Sequence, residues 1–472
     1  MSTPVAAYHL PRGIARPPAR RSRWLAGPVR AGAPAGADET PLIAAGLDLP
    51  ELSPAAVTEI ADRLRDAGRR LRRVPLAERV AAIDRVAERW LAPGFALRRL
   101  AVERVPLVTG YPARAVGLAL DHLWHALRRG GLEAVVDAEL GDATPPPPDL
   151  ALHVLTGNVP GAGVFGMIAA LLAGIPSLVK TARREPLLPA LVAASLAAED
   201  ARLGAALAVA PWPGGDPGLD GAAIAAADLV LAYGRTETLA AVAAHAPRRL
   251  LRYGPRVSVA LIAREAVDRQ TAARAALQVA LFDQQGCLSP QLLVVEESDP
   301  AATARFVAAL GAELARLETT LPRAPLTLAE ETAVWRHVER ARWQAQEGEA
   351  LAVHADDAGR FSVVCDRRDG HVGGSPLHRH VVVLPVAALA DAGARLAPIA
   401  GCVEAVGYAG PERRLVEAGA VAAACDAPRL CPLDRMQRPP FAWRQSGHAR
   451  LASLVAPASV DDGASPAATT AA

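Results

Sequence analysis

Read for the spacing of its apolar positions, the chain falls into three parts. In the first, apolar residues recur at helical intervals. Val57, Ile60 and Leu64 share one face behind a Ser53-Pro54 start, with proline at the first helical position. Further amphipathic runs cover 76–90 and 95–108, and Gly110-Tyr111-Pro112 breaks the second of these. A fourth run ends at Arg128, Arg129 and two glycines. These runs predict a helical N-terminal layer. Pro145 to Pro148 form a stiff connector after it.

Beyond the prolines the period changes. Short β-branched runs at 152–155, 177–180, 207–210 and 229–233 alternate with helical patterns at 164–172, 186–203, 221–227 and 237–245. Strand, glycine turn, helix, strand is a βαβ unit, and its crossover makes the two strands parallel. The expectation is a Rossmann-type open parallel sheet, which binds ligands beyond the carboxyl ends of its strands. A second α/β region follows, with strands at 257–262, 291–296, 361–365, 381–384 and 403–406. Its helices are expected at 268–282, 301–317, 328–345 and 386–396.

Composition narrows the function. Of 472 residues 51% are apolar, and 51 Lys and Arg nearly balance 49 Asp and Glu. A net charge of +2 lacks the basic excess of a phosphate reader, so no nucleic-acid partner is expected. Five scattered cysteines without a CxxC pair point to neither a zinc ribbon nor a disulfide framework, and suit a reducing cytoplasm. No apolar run has the length of a membrane span. Residues 1–37 are rich in Arg, Pro and Gly with no acid before Asp38. Arg20-Arg21-Ser22-Arg23-Trp24 has the look of a twin-arginine signal without the apolar segment such a signal needs. A disordered basic tail over 1–38 is expected, and another disordered tail, rich in Ala, Ser and Pro, over 456–472.

Candidate chemistry centres on Asp283-Gln284-Gln285-Gly286-Cys287, between a helical pattern and a strand. There a cysteine side chain can face a cleft, and Gly286 permits close approach of a substrate. By itself a lone cysteine is more often a buried structural residue. Gly161 to Gly166 matches GxGxxG in the right setting, but the acid that should end the second strand is absent and Lys180 stands there. A cation suits the extra ribose phosphate of NADPH, or the ribose hydroxyls. Two further strand-end turns, one holding Gly215 and one holding Gly234 and Arg235, are places where a nucleotide can lie, or plain turns. His378 and His380 would share a strand face with His371 nearby, yet nothing completes a ligand set, so no metal is expected. No Gly-x-Ser-x-Gly or Walker loop occurs.

Taken in order, several segments resemble one family. They are Gly157-Asn158-Val159-Pro160-Gly161, Lys180, Tyr233-Gly234-Arg235, Tyr253-Gly254 to Ser258, and Asp283-Gln284-Gln285-Gly286-Cys287. Arg429 to Met436 and Pro439 to Trp443 extend the likeness. The succession is similar to the aldehyde dehydrogenase superfamily, and in detail to its acyl-CoA reductase (LuxC) branch, over about residues 40–455. The resemblance implies an aldehyde-dehydrogenase-like fold divided at 39–256 (helical layer and nucleotide-binding α/β domain), 257–432 (catalytic α/β domain) and 433–455 (closing segment). It implies that Cys287 is the nucleophile that becomes acylated and that Asn158 holds the oxyanion. Lys180, Gly234 and Arg235 would hold NADPH, with Gly215 beside them. The implied reaction takes an acyl-CoA or acyl-carrier thioester to a fatty aldehyde, in a homo-oligomer with an acyl-transfer or synthetase partner.

One departure bears on the product. Hydrolytic relatives carry a Glu that activates the deacylating water, and Arg252 stands in its place. The rival functions are a hydrolytic NAD(P)-dependent aldehyde dehydrogenase, against which Arg252 speaks, and a non-reducing acyl-binding relative, against which an intact Cys287, Asn158 and Lys180 speak.

Overall fold

The structure, a computed structural model, describes residues 5–11, 14, 19–21, 46–141 and 145–456. The helical layer consists of Pro54–Leu71, Leu76–Leu91, Ala96–Thr109, Ala113–Ala126 and Arg129–Glu139. Ser53 caps the first of these by accepting from the Ala56 N–H at 3.2 Å. The fourth helix ends before Arg128, Arg129 and the two glycines, as expected, and a fifth helix that the sequence did not show follows within the layer. Gly130 and Gly131 sit in its first turn, where weak helix formers cost least. Trp90 is fully buried, stacks on Trp124 at 5.3 Å and donates its Nε1–H to Ser195 Oγ at 2.9 Å. That contact fastens the layer to a helix of the sheet domain, Leu187–Glu199.

Three short strands, β1 (Val5–Ala6), β2 (Ala19–Arg21) and β3 (Leu47–Pro50), form a small sheet in the order β1-β3-β2. Within the stretch expected as a disordered tail over 1–38, Val5, Ala6 and Ala19–Arg21 are therefore paired. His9 also bridges Val209 and hydrogen-bonds the Gly204 carbonyl at 3.0 Å. Alternation over so few residues leaves no readable period in the sequence. Residues 1–4, 12–13, 15–18 and 22–38, and the tail expected over 456–472 apart from Ala456, lie outside the described residues.

The second sheet has β4 (Ala151–Val154), β5 (Ser177–Thr181), β6 (Leu207–Pro211), β7 (Leu229–Tyr233) and β8 (Leu250–Tyr253). They run parallel in the order β6-β5-β4-β7-β8. The order reverses at β4, so a crevice opens beyond its carboxyl end. β8 did not show in the sequence because it is an edge strand with an exposed Arg252. The helix expected at 186–203 is two helices, Leu187–Glu199 and Ala201–Ala205, divided where Asp200 leaves helical geometry and caps the second.

The third sheet holds β9 (Val257–Ile262), β10 (Pro290–Glu296), β11 (Leu351–Ala355), β12 (Ser362–Asp366), β13 (His380–Val386), β14 (Val403–Ala409) and β15 (Leu430–Pro432). Its order is β11-β12-β13-β10-β9-β14-β15, and β11 alone runs antiparallel to its neighbour. The helix expected to reach residue 282 is Arg269–Ala280. It gives way to Phe282, Asp283 and Gln284, all left-handed with φ of 60, 50 and 59°. The helix expected at 386–396 shrinks to Ala392–Leu396 because β13 continues to Val386. No helix among the described residues is long and apolar enough to cross a membrane.

Candidate active site

The carboxyl ends of β4 and β7 face the loop before β10 across a cleft of about 660 Å³. Among the residues lining it are Asn158, Gly234, Arg235, Arg256, Gln285 and Cys287. Four of the six expected site residues therefore meet in one cavity.

Local sterics set the loop positions. A Cβ on Gly286 would stand 3.2 Å from Val159 Cγ2, so glycine lets the cysteine loop close on the Asn158 segment. A Cβ on Gly157 would come within 2.9 Å of the Glu185 backbone nitrogen. In the GxGxxG match, a Cβ on Gly163 would collide with Leu155 at 2.4 Å, and one on Gly166 would press on the Tyr233 hydroxyl at 3.0 Å. These glycines serve the packing of the helix Val164–Leu172 behind Asn158.

Asn158 donates from Nδ2 to the Gln285 carbonyl at 2.5 Å, which spends one of its two N–H groups. Its own carbonyl accepts the Tyr111 hydroxyl at 2.7 Å, and that hydroxyl also reaches the Phe282 carbonyl at 3.2 Å. Tyr111 thus ties the two loops of the site together. In the sequence it read only as part of a helix-breaking turn.

Cys287 is half-buried, and its carbonyl accepts the Ser258 hydroxyl at 2.6 Å. Burial pushes the thiol up to about 12, and the carboxylate of Glu404 adds to the rise. The cysteine's own backbone N–H and the guanidiniums of Arg429 and Arg256 pull it back. Glu404 projects from β14, fully buried, and accepts the Ser446 N–H at 2.9 Å. Arg256 Nε lies 3.8 Å from it. Burial raises the Glu404 carboxyl too. Nothing in the sequence set it apart from other strand residues.

The remaining wall comes from the closing segment. Gln437, Trp443 and Ser446 line the cleft, and Gln437 Nε2 donates to Ser289 Oγ at 2.6 Å. Arg450 is buried beneath them and donates to the carbonyls of Phe441 at 3.0 Å and Trp443 at 2.6 Å. Its guanidinium lies over the rings of Phe165, Phe441 and Trp443.

Lys180 and Gly215 are not in the cleft wall. They form a second group at the ends of β5 and β6. Lys180 Nζ sits 5.5 Å from the Trp212 ring, and Gly215 N–H donates to Asp220 Oδ2 at 2.8 Å. Burial lowers the Lys180 ammonium, and Asp220 opposes that shift. Arg235 caps the helix Thr236–Ala244 with its side chain 89% exposed, open to a ligand. Arg252 points outward from β8, and its neighbour Tyr253 faces the cleft instead, stacked on Tyr233 at 4.3 Å.

His378 and His380 do not share a strand face as expected. His380 starts β13 and bonds Ser362 Oγ through Nδ1 at 2.8 Å. His378 lies in a left-handed turn with Leu377 and Arg379, against the Gln285 amide.

Comparison with known proteins follows the same lines. The family model described as Acyl-CoA reductase (LuxC) matches residues 71–456. A long-chain acyl-protein thioester reductase of Photorhabdus luminescens is 28% identical over 226 residues, 44% of this chain and 47% of that protein. One from Vibrio harveyi is 24% identical over 226 residues, covering 43% and 47%. The chain thus spans about half the length of the curated relatives it matches. Among solved structures, a salicylaldehyde dehydrogenase from Pseudomonas putida G7 aligns with a TM-score of 0.68 at 15% identity, over 91% of this chain and 89% of that one. An NAD-dependent benzaldehyde dehydrogenase from Corynebacterium glutamicum aligns at 0.63 and 16%, over 82% and 87%. At such identities the likeness establishes an aldehyde-dehydrogenase-like fold.

Proposed function

Because this chain belongs to the acyl-CoA reductase (LuxC) family, we propose that it reduces a long-chain acyl thioester to the aldehyde with NADPH, through a thioacyl intermediate on Cys287. On this reading residues 39–256 carry the nucleotide and 257–432 the acyl group, and 433–455 close the cleft.

The nicotinamide cofactor has a matching set of residues. Arg235 and the N-terminus of Thr236–Ala244 suit its pyrophosphate. Lys180 at the end of β5 suits a ribose phosphate, with Arg183 just beyond. When bound, NADPH supplies the hydride. The chain's own residues do the rest. The Cys287 sulfur attacks the thioester carbonyl, an exchange between similar leaving groups that is nearly balanced in energy. With its thiol pushed up to about 12, the sulfur loses its proton during attack rather than before it, and the proton leaves on the sulfur of the departing thiol. The second N–H of Asn158 and the backbone N–H of Cys287 serve the developing oxyanion, each well-placed donor contributing about 3–4 kcal/mol. When the reduced adduct collapses, the aldehyde leaves and the sulfur regains a proton.

The observation that carries the reading is the character of the cleft wall. Glu330 is its single carboxylate among the described residues, and it is engaged. The N–H and the hydroxyl of Thr327 each donate to Glu330 at 2.8 Å, and Arg184 pairs with it at 3.5 Å. With Arg252 turned away from the cleft, the position at which hydrolytic relatives carry the water-activating carboxylate offers none. The test is incubation with palmitoyl-CoA, first without NADPH and then with it. A stable Cys287 adduct followed by aldehyde is expected. Fatty acid released before NADPH is added, at a rate comparable to turnover, would overturn the reading.

A further inference from the structure

A row of polar side chains ends on Asn158. Its Nδ2 donates to the Gln285 carbonyl at 2.5 Å. The Gln285 side chain lies against the His378 ring, with Nε2 3.2 Å from Nδ1 and 3.1 Å from Nε2 of the ring. Glu330 Oε1 stands 3.8 Å from His378 Nε2. Glu330 is itself fixed, by the capping box with Thr327 and by its pairing with Arg184. Four distant segments of the chain therefore meet in the order Glu330, His378, Gln285, Asn158. The middle two are 93 positions apart, which is why the sequence shows no sign of the row.

The row has a direction. A carboxylate only accepts, so the ring nitrogen beside Glu330, Nε2, carries the hydrogen. Nδ1 is then the acceptor, and the Gln285 Nε2–H is its donor. Burial pushes the ring down to about 4 against the pull of the Glu330 carboxylate, and Arg323 and Arg184 push the same way as burial. The ring is thus neutral near pH 7 and keeps that lone pair. Nor is it free to swing aside. His378 is buried and left-handed at a φ of 57°, and its N–H donates to the Asp283 carbonyl at 2.9 Å. The cavity that Asn158, Gln285 and His378 border has about 20 Å³, room for about one water and not for a displaced side chain.

The Gln285 side chain and the Gln285 carbonyl belong to one residue, so anchoring the first aims the second. A Gln285 free to turn would take its carbonyl away from Asn158. The amide could then rotate, and its second N–H would leave the place where the oxyanion forms beside Cys287. Such stabilisation depends steeply on placement. We propose that His378 is the positioning residue of the oxyanion site: it holds Gln285, and through the Gln285 carbonyl it fixes the Asn158 amide with its second N–H towards the acyl oxygen on Cys287. The proposal rests on the thioester-reductase reading above and adds to it a residue that touches neither substrate nor cofactor. No bond forms or breaks at His378, and no proton passes through it.

The experiment follows two reactions of Cys287 on the full chain without NADPH. Acylation by palmitoyl-CoA forms an oxyanion, and alkylation by iodoacetamide forms none. His378→Phe fills the place of the ring without an acceptor. It should slow acylation about 10- to 100-fold and leave alkylation at its unmodified rate, which also shows that the loop is folded. His378→Asn puts an oxygen near the place of Nδ1, and asparagine tolerates a left-handed backbone, so most of the rate should return. Asn158→Ala should slow acylation about 100- to 1,000-fold. Adding His378→Phe to it should change little, because the group that His378 positions is gone. Gln285→Met keeps the backbone carbonyl and cuts the row at the side chain. It should match His378→Phe, and it tests the row even where that variant does not fold. In turnover kcat should fall while the Michaelis constant for NADPH stays the same. Equal slowing of acylation and alkylation would mark His378 as structural and overturn the proposal. So would losses that multiply in the Asn158→Ala background, or no recovery in His378→Asn. A chain that is acylated at Cys287 but gives any of those results keeps the thioester reading and loses this inference. One that takes no acyl group from palmitoyl-CoA loses both.

Discussion

Arg379 donates from Nε to Asp283 Oδ1 at 2.7 Å, with 1 and 2% of the two side chains exposed. The pair joins two left-handed turns of non-glycine residues, Phe282 to Gln284 and Leu377 to Arg379. The His378 N–H donates to the Asp283 carbonyl at 2.9 Å and closes the junction. Each such residue is strained by about 1–2 kcal/mol, so the junction has to hold both turns in place. Arg379→Ala leaves Asp283 buried without its cation and should cost about 3–5 kcal/mol in denaturant unfolding. Arg379→Met combined with Asp283→Asn should cost less than the two single losses added together. Additive losses would show that the pair is not a coupled unit.

Cys287→Ala should abolish acylation and turnover and leave the unfolding transition in place. Mass spectrometry after palmitoyl-CoA treatment without NADPH should find one adduct on the unmodified chain, at Cys287. An adduct at Cys365, Cys402, Cys425 or Cys431 would reassign the nucleophile.

A thiol pushed up to about 12 stays protonated across the neutral range. Alkylation of Cys287 by iodoacetamide should therefore climb about tenfold per pH unit from neutrality upward without levelling off. Glu404→Gln removes a negative charge that opposes the thiolate, and the Gln oxygen can still accept the Ser446 N–H. The thiol should then ionise at lower pH, and alkylation at fixed pH should speed up about three- to tenfold, the effect of half to one pKa unit. Slower alkylation would instead mark Glu404 as the group that takes the proton.

Lys180→Ala should raise the Michaelis constant for NADPH more than that for NADH. The reason is position: the ammonium stands at the end of β5, beside Trp212, with Asp220 as the nearby carboxylate. Equal effects on the two cofactors would mean that this lysine does not read the phosphate.

The parts of the fold that were legible in the sequence are those whose own residues carry a period. The strands at 177–181 and 229–233 are buried along their length and flanked by amphipathic helices, so their apolar runs stand out. Cys287 stood out as a candidate beside Gly286 in the loop before β10, and Asn158 only through the resemblance of its segment to a known family. The edge strand β8 was not, because Arg252 interrupts its apolar face. The turn at Phe282 to Gln284 was not, because its left-handed geometry is imposed by Arg379, almost a hundred positions away. Tyr111 and Glu404 do their work through contacts made 47 and 42 residues along the chain, with Asn158 and Ser446, and no local pattern encodes such contacts.

The closing segment also has a consequence in time. A ribosome releases Cys287 and Asn158 well before Gln437, Trp443 and Ser446, which supply the last wall of the cleft. Arg450, whose guanidinium holds the carbonyls of Phe441 and Trp443, comes later still. During synthesis Cys287 therefore lies in an unfinished cleft, open on the side that Gln437, Trp443 and Ser446 later close. A nascent chain stalled before residue 450 would carry the Cys287 sulfur without that enclosure. The enclosure is complete only when the final helical turn, Ala452–Val455, docks through the Ser453 and Leu454 carbonyls onto Arg249 at the base of β8.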